Sequence, residues 1–398
     1  MISDVYFPRI NGVSTSIQTF RRQLGLLGHD VLVIAPDYGF GEIGEPGLVR
    51  VPSRYLVLDP EDRMMRTRRV RDLGPTLRER RFDLMHIQTP FVAHYAGVAL
   101  ADQLGLPCVE TYHTFFEEYL FHYVPFVPQA WMRALARRFS RTQCNSLDAV
   151  VVPSRPMHAV LREYGVTVPL EIIPTGLELE RFATGDGAAF RRKHGIAPDR
   201  PTLVHVGRVA FEKNIDFLLR MLVRVRDSVP DVLLVICGEG PSRTHLQALT
   251  ARLGLASNVL FVGYLDRARG LLDCYRAGDV FVFASRTETQ GLVLLEAMAL
   301  GVPVVSTAVM GTKDILGPRC GALVALEDES DFAAKVVQIL RSPSLRQQLS
   351  AEAGVYVQTW SAPRMTARML EFYQRVVGQG TGEYCPNQRR ADGSAVQI

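Results

Sequence analysis

Nine short runs of β-forming apolar residues, separated by longer stretches of helical periodicity, constrain this chain more than any single motif does. They are HDVLVIAP, FDLMHIQ, LPCVETYH and DAVVVPS in the first half, then TLVHVG, DVLLVICG, NVLFVGY, DVFVFAS and PVVSTA in the second. Strands that alternate with helices form βα units, and such units pair as parallel sheets. The expected fold class is therefore α/β, with two doubly wound domains. A length of 398 residues, 47% of them hydrophobic, supplies a core for each. The segment IIPTGLELERFATGDGAAFRRKHGIAPDRP, rich in Gly, Pro and charge, divides the two sets of strands. The expected boundary lies at its start, giving domains 1–176 and 177–358. The polar, aperiodic residues 379–398 read as a disordered tail. Two facing domains of this kind hold their ligand in a cleft beside the carboxyl ends of the strands.

Composition removes several classes. A net charge of +4, with no dense basic run interleaved with aromatics, argues against a nucleic-acid partner. No apolar run is long enough to span a membrane, and the opening MISDVYFPRINGV lacks the regions of a signal peptide, so a cytoplasmic protein is expected. The six cysteines show neither a C-x-x-C pair nor a repeated spacing, which fits reduced thiols. Only Met1 and Ile2 precede SDVYFPR, fewer than a central strand usually carries. A start upstream of Met1 is expected, with a weakened first sheet if the strand is cut short. GFGEIG, at 39–44, matches the dinucleotide pattern G-x-G-x-x-G, but EPGLVRVP follows it instead of a helix. Without a helix start there is no dipole for a pyrophosphate, so the match is set aside.

Three stretches carry chemistry. In HVGRVAFEKNIDFLL a strand ends at Gly207 and a helix begins near Asn214, with Arg208 and Lys213 in between. A guanidinium fork and an ammonium could neutralise a diphosphate there, and a solvated loop fits the pattern as well. PRINGVSTSI opens the first helix, so Asn11 and Gly12 can approach the same ligand through their backbone, although a plain βα turn explains Gly12 equally. SRTETQGLVLLEAMALG sets Glu288 and Glu296 eight residues apart around a helix start. Backbone N–H groups at Thr289, Gln290, Gly291 and Leu292 suit phosphate and sugar, while Glu288 accepts from sugar hydroxyls and Glu296 from a ribose diol.

GRVAFEKN, CGEGP, VGYL, SRTETQGLVLLEAMALGVPVV and TYHTFFEEY together resemble the retaining nucleotide-sugar glycosyltransferases of family 4, over residues 1 to 378. The resemblance implies a GT-B fold with an acceptor-binding first domain and a nucleotide-sugar-binding second one. It makes Glu288 and Glu296 the E-x7-E pair and Arg208 and Lys213 the diphosphate clamp. His113 becomes the active-site histidine near the donor sugar, and Gly12 lines the donor phosphates. A helix over 359–378 would return to the first domain, with Trp360 at the crossing. INGVSTSI, TYHTFFEEYLFHY and TETQGLVLLEA are most similar to diacylglycerol α-glucosyltransferases, which implies UDP-glucose as donor and a lipid acceptor. GDP-mannose with another lipid or glycan acceptor is the alternative. Glu117 and Glu118 lie near the acceptor or on a solvated helix face. The implied transfer retains configuration and needs no protein nucleophile. No D-x-D occurs to hold a divalent ion, so no metal cofactor is expected. A glycoside hydrolase needs no diphosphate clamp, and an epimerase would form product without an acceptor.

The stretch PQAWMRALARRFSR, at 128–141, places Trp131, Met132, Leu135 and Phe139 on one side of a helix and Arg133, Arg137 and Arg141 on the other. An anionic membrane surface is an expected partner, with the arginine-rich 63–81 adding attraction. That would place the protein peripherally on the inner face of the cell membrane. The opposite reading packs the Trp131 face on the domain core.

Overall fold

The computed structural model describes residues 1–39, 45–55, 63–113, 115 and 129–380. It divides into two compact units, one comprising Met1–Gly176 with the segment from Pro363 on, the other Leu177–Ala362.

In the first unit the strands β1 (Val33–Pro36) and β2 (Leu48–Val51) pair in parallel. After the antiparallel β3 (Ser53–Tyr55) and β4 (Arg63–Met65) come β5 (Met85–Ile87), β6 (Cys108–Thr111), β7 (Ala149–Val152) and β8 (Leu170–Ile172), also parallel. Ile2 joins the two groups, bridging Ile34 on one side and Ile87 on the other. The first strand is thus present in the middle of the sheet, reduced to one bridged residue. Four backbone bonds of 2.9–3.0 Å hold it: Ile2 N–H to His86, Ser3 N–H to Ile34, Ile34 N–H to Met1 and Gln88 N–H to Ile2. Helix α1 (Gly12–Leu26) follows, then α2 (Val92–Leu104) and α3 (Gln129–Cys144). Turn residues and the strand β2 follow Gly39–Gly44, in place of the helix a dinucleotide site needs.

The second unit has a six-stranded parallel sheet built from β9 (Thr202–Val206), β10 (Leu233–Cys237), β11 (Val259–Gly263), β12 (Val280–Phe283), β13 (Val304–Thr307) and β14 (Ala322–Ala325). Their order is β11-β10-β9-β12-β13-β14. The chain therefore winds outward from β9 in one direction and then restarts at β12 in the other. The reversal leaves a crevice at the carboxyl ends of β9 and β12, the place where ligands bind in such sheets. Helices α4 (Ile215–Ser228), α5 (Gly270–Arg276), α6 (Leu292–Ala299) and α7 (Glu329–Arg341) pack around it. Apolar residues line both faces, so β9, β10 and β12 are buried throughout, as the unbroken runs in their sequences require.

The final helix, α8 (Ala362–Gly380), joins the first unit's core. Its Met365, Met369, Phe372 and Val376, spaced by one turn, pack with Phe20, Leu24, Val109, Val151 and Ile173. Tyr373 adds a bond to the buried His86, and Arg375 an ion pair with Glu171. Trp360 ends the short 3₁₀ turn Val357–Trp360 before α8, and its carbonyl accepts from Leu177 N–H.

Candidate functional site

In the second unit, the loops that leave β9 and β12 bring Lys213 and Glu288 together. Lys213 ends a 3₁₀ turn, Phe211–Lys213, and Asn214 turns the chain at φ 57° into α4. The Asn214 amide donates to the Ala284 carbonyl and to Glu327, bracing this loop against the end of β12. Lys213 Nζ then donates to Glu288 Oε1 at 2.5 Å, with both side chains about four-fifths buried. Burial opposes ionisation of Glu288, yet the adjacent Lys213 ammonium, with hydrogen bonds from Lys213 and Ser285, holds the carboxyl below its ordinary value. Separate roles for the two residues were expected from sequence, and the structure makes them one unit. Arg208 is half-buried in the same β9 loop.

The backbone after Glu288 is tightly set. Gly311 N–H donates to the Glu288 carbonyl, and a Cβ on Gly311 would lie 2.1 Å from the Thr289 carbonyl oxygen. Thr289 is half-buried, Gln290 is buried, and Gly291 at φ 99° gives the left-handed turn that starts α6 at Leu292. One turn into α6 lies Glu296, 4% exposed. Its Oε1 accepts from Arg267 at 2.7 Å and its Oε2 from the Tyr275 hydroxyl at 2.8 Å. The two carboxylates are therefore held by different donors.

Beneath the Lys213–Glu288 pair sits His205 on β9, fully buried. Its Nδ1 donates to the Val282 carbonyl, which leaves Nε2 an acceptor, buried and with no hydrogen-bond partner among the described residues. Burial lowers its pKa to about 4, so the ring is neutral at pH 7.

In the first unit, Asn11 caps α1, its side chain accepting from Ser14 N–H at 2.8 Å. Gly12 is exposed, and a Cβ there would meet nothing within 4 Å. No packing demands glycine at that point. His113 follows β6, with Nε2 donating to Gln88 Oε1 at 3.0 Å just past β5. Burial lowers its pKa to about 4, leaving a neutral imidazole whose tautomer Gln88 fixes. Asn11, Gly12, Gln88 and His113 thus follow the carboxyl ends of this unit's sheet. Glu117 and Glu118 lie outside the described residues.

Gln88, His205, Arg267 and Tyr275 were not singled out from sequence. Each acts through a partner distant in the chain, and no spacing signals that. Helix α3 departs from the two-sided pattern its sequence suggested: Met132 is buried with Ala136 and Ser140, whereas Trp131 is 77% and Leu135 61% exposed. Met132 therefore belongs to the core, and Trp131 and Leu135 share the solvent side with Arg133, Arg137 and Arg141. In the arginine-rich stretch several cations are engaged: Arg63 stacks on Tyr55, Arg78 bonds the Gln103 carbonyl, and Arg80 pairs with Asp30.

Comparison with known proteins identifies the family. Residues 10–181 match the profile described as Glycosyltransferase Family 4, and residues 186–354 that of Glycosyl transferases group 1. The chain is 29% identical to the alpha-monoglucosyldiacylglycerol synthase of Streptococcus pneumoniae, over 94% of this chain and 84% of that one. It is 28% identical to a GDP-mannose-dependent alpha-mannosyltransferase of Mycobacterium tuberculosis, over 96% and 97%. Its fold matches Anabaena HepE, solved in complex with UDP and glucose, with a TM-score of 0.76 at 16% identity over 94% and 99% of the chains. With a reversing parallel sheet in its second unit, a second parallel sheet in its first and both family profiles in sequence, the chain belongs to the GT-B glycosyltransferases of family 4.

Proposed function

We propose that this glycosyltransferase moves glucose from UDP-glucose to diacylglycerol with retention of configuration. The observation that carries the reading is the Lys213–Glu288 unit at the β9/β12 crevice, beside Arg208 and ahead of the α6 start. Arg208 and Lys213 would take the diphosphate, Glu288 the sugar hydroxyls and Glu296 the ribose, with the N–H groups of Thr289 to Leu292 facing phosphate and sugar. His113 would stand near the donor sugar and Gly12 near its phosphates. In the transfer, the bond from the anomeric carbon to the phosphate oxygen breaks while that to the acceptor oxygen forms on the same face. The acceptor's proton passes to the leaving phosphate. Charge stabilisation by Arg208, Lys213 and the helix start replaces a divalent ion in this reading, in keeping with the lack of D-x-D.

Support for the donor and acceptor comes from the likeness to a glucosyldiacylglycerol synthase along most of both chains. The second reading, transfer from GDP-mannose to another lipid or glycan, is favoured by the nearly equal likeness to mannosyltransferases. For the lipid surface, exposed Trp131 and Leu135 flanked by arginines on α3 support docking on an anionic bilayer, at the inner face of the cell membrane. Among the described residues no helix is long and apolar enough to cross a membrane.

The deciding experiment incubates the purified protein with UDP-glucose, UDP-galactose or GDP-mannose and with diacylglycerol in anionic vesicles, with and without EDTA. Glucolipid formation from UDP-glucose that survives EDTA is expected. A preference for GDP-mannose would select the second reading. Transfer that EDTA abolishes and magnesium or manganese restores would overturn the metal-free mechanism. Epimerised nucleotide sugar without acceptor, or sugar release from a glycoside without nucleotide, would overturn both transfer readings.

A further inference from the structure

Glu296 is a carboxylate almost wholly withdrawn from solvent, and two groups from outside its helix hold it. Arg267 reaches Oε1 at 2.7 Å from the loop after β11, and Tyr275 reaches Oε2 at 2.8 Å from α5. Tyr275 is fully buried, its ring 5.5 Å from that of Phe281, so its hydroxyl cannot turn away to water. With one donor fixed on each oxygen, the rotation of the carboxylate is not free to change. Each oxygen keeps a further lone pair for another donor.

The placement separates this arrangement from an ordinary core ion pair. Glu296 lies one turn into α6, whose N-terminus follows the Glu288–Gly291 loop at the crevice. Arg267 keeps 27% of its side chain exposed, so the group is not sealed in the interior.

We propose that Arg267 and Tyr275 are positioning residues that hold the Glu296 carboxylate correctly turned to accept the ribose hydroxyls of the nucleotide. The inference rests on the reading of Glu296 as the ribose ligand given above. Its signature is a dependence on those hydroxyls: without Arg267 or Tyr275, binding loses the discrimination between ribose and deoxyribose and keeps the rest.

Isothermal titration of the full chain with UDP and GDP, and with their 2′-deoxy and 3′-deoxy counterparts, tests this, using whichever base the wild type binds more tightly. The variants are Tyr275→Phe, Arg267→Gln, Arg267→Lys and Glu296→Gln, each checked for its melting temperature. The expected result is that Tyr275→Phe and Arg267→Gln weaken ribonucleotide binding roughly tenfold, the scale of one charge-assisted hydrogen bond, and leave a deoxynucleotide little changed. Arg267→Lys should restore part of the difference. Equal weakening of ribo- and deoxynucleotides would overturn the inference and leave a structural ion pair. If Glu296→Gln itself retains full ribose discrimination, the ribose reading of Glu296 fails, and the inference with it. If Glu296→Gln loses discrimination but both partner variants retain it, the inference alone fails. Should Arg267→Gln melt below the assay temperature, Tyr275→Phe, which keeps the ring packing, decides the outcome.

Discussion

Lys213 and Glu288 are the residues whose chemistry is most tightly shared. In the proposed reading, the Lys213 ammonium exchanges the Glu288 carboxylate for the diphosphate, since the phosphate brings more charge than Glu288 does. Replacing Lys213 by Ala removes the cation and also leaves Glu288 unpaired in a site about four-fifths buried. A loss of about 10²-fold or more in turnover is expected, in line with removal of a preorganised charge. Steady-state kinetics, with circular dichroism confirming the fold, checks it, and near-wild-type turnover would remove Lys213 from the clamp. The double variant Lys213→Ala/Glu288→Gln should lose less than the product of the two single losses, because each single change breaks the same pair.

At the scale of elements, glycines let the crevice loops touch. A Cβ on Gly238 would lie 1.9 Å from the Gly207 carbonyl oxygen, and one on Gly240 2.4 Å from that of Val209, so the loop after β10 packs backbone to backbone on the loop after β9. Gly238 and Gly240 of CGEGP thus serve a close approach that their sequence had not signalled. Helix α3 shows the limit of periodicity. A helical wheel groups Trp131 with Met132, yet only Met132 meets the core, because burial depends on where the sheet lies beneath the helix. Reversing Arg133, Arg137 and Arg141 to Glu should reduce co-sedimentation with anionic vesicles at low salt by at least about tenfold, given about 1 kcal/mol per surface cation. Arg137 also pairs with Glu163. Undiminished binding by the folded variant would exclude α3 as the electrostatic anchor.

For the molecule as a whole, histidines buried in the neutral form tie stability to pH. Burial lowers His113 and His205 to about 4 and His86 well below its ordinary value of 6.5. Between pH 6.5 and pH 4 the unfolded chain binds protons at these rings that the folded chain does not. Stability therefore falls as pH drops through that window, by on the order of 1–2 kcal/mol per histidine between pH 6.5 and pH 5. Glu288, depressed by Lys213, adds a loss as pH falls through its own lowered range. Urea titrations at pH 7 and pH 5, followed by circular dichroism, should show lower midpoints at the acid pH. Equal midpoints would contradict the buried, neutral state of these rings.

Sequence by itself determined the α/β class, the two sets of parallel strands and the peptide stretches in which Arg208, Lys213, Glu288 and Glu296 lie. The reason is local: strand and helix periods, turn glycines and helix starts are written in neighbouring residues. It did not reveal β2, β3, β4, β8 or β14, whose runs are short or only partly buried, and the shortened central strand expected at Met1 and Ile2 is one bridged residue. Only the tertiary structure decided that Lys213 holds Glu288, that Arg267 and Tyr275 share Glu296, and that Gln88 sets the tautomer of His113. These partners lie between 21 and 75 residues apart, and they meet because strand order places their loops at one end of a sheet. Crossover topology is a property of the packed core, which no single stretch of the chain contains.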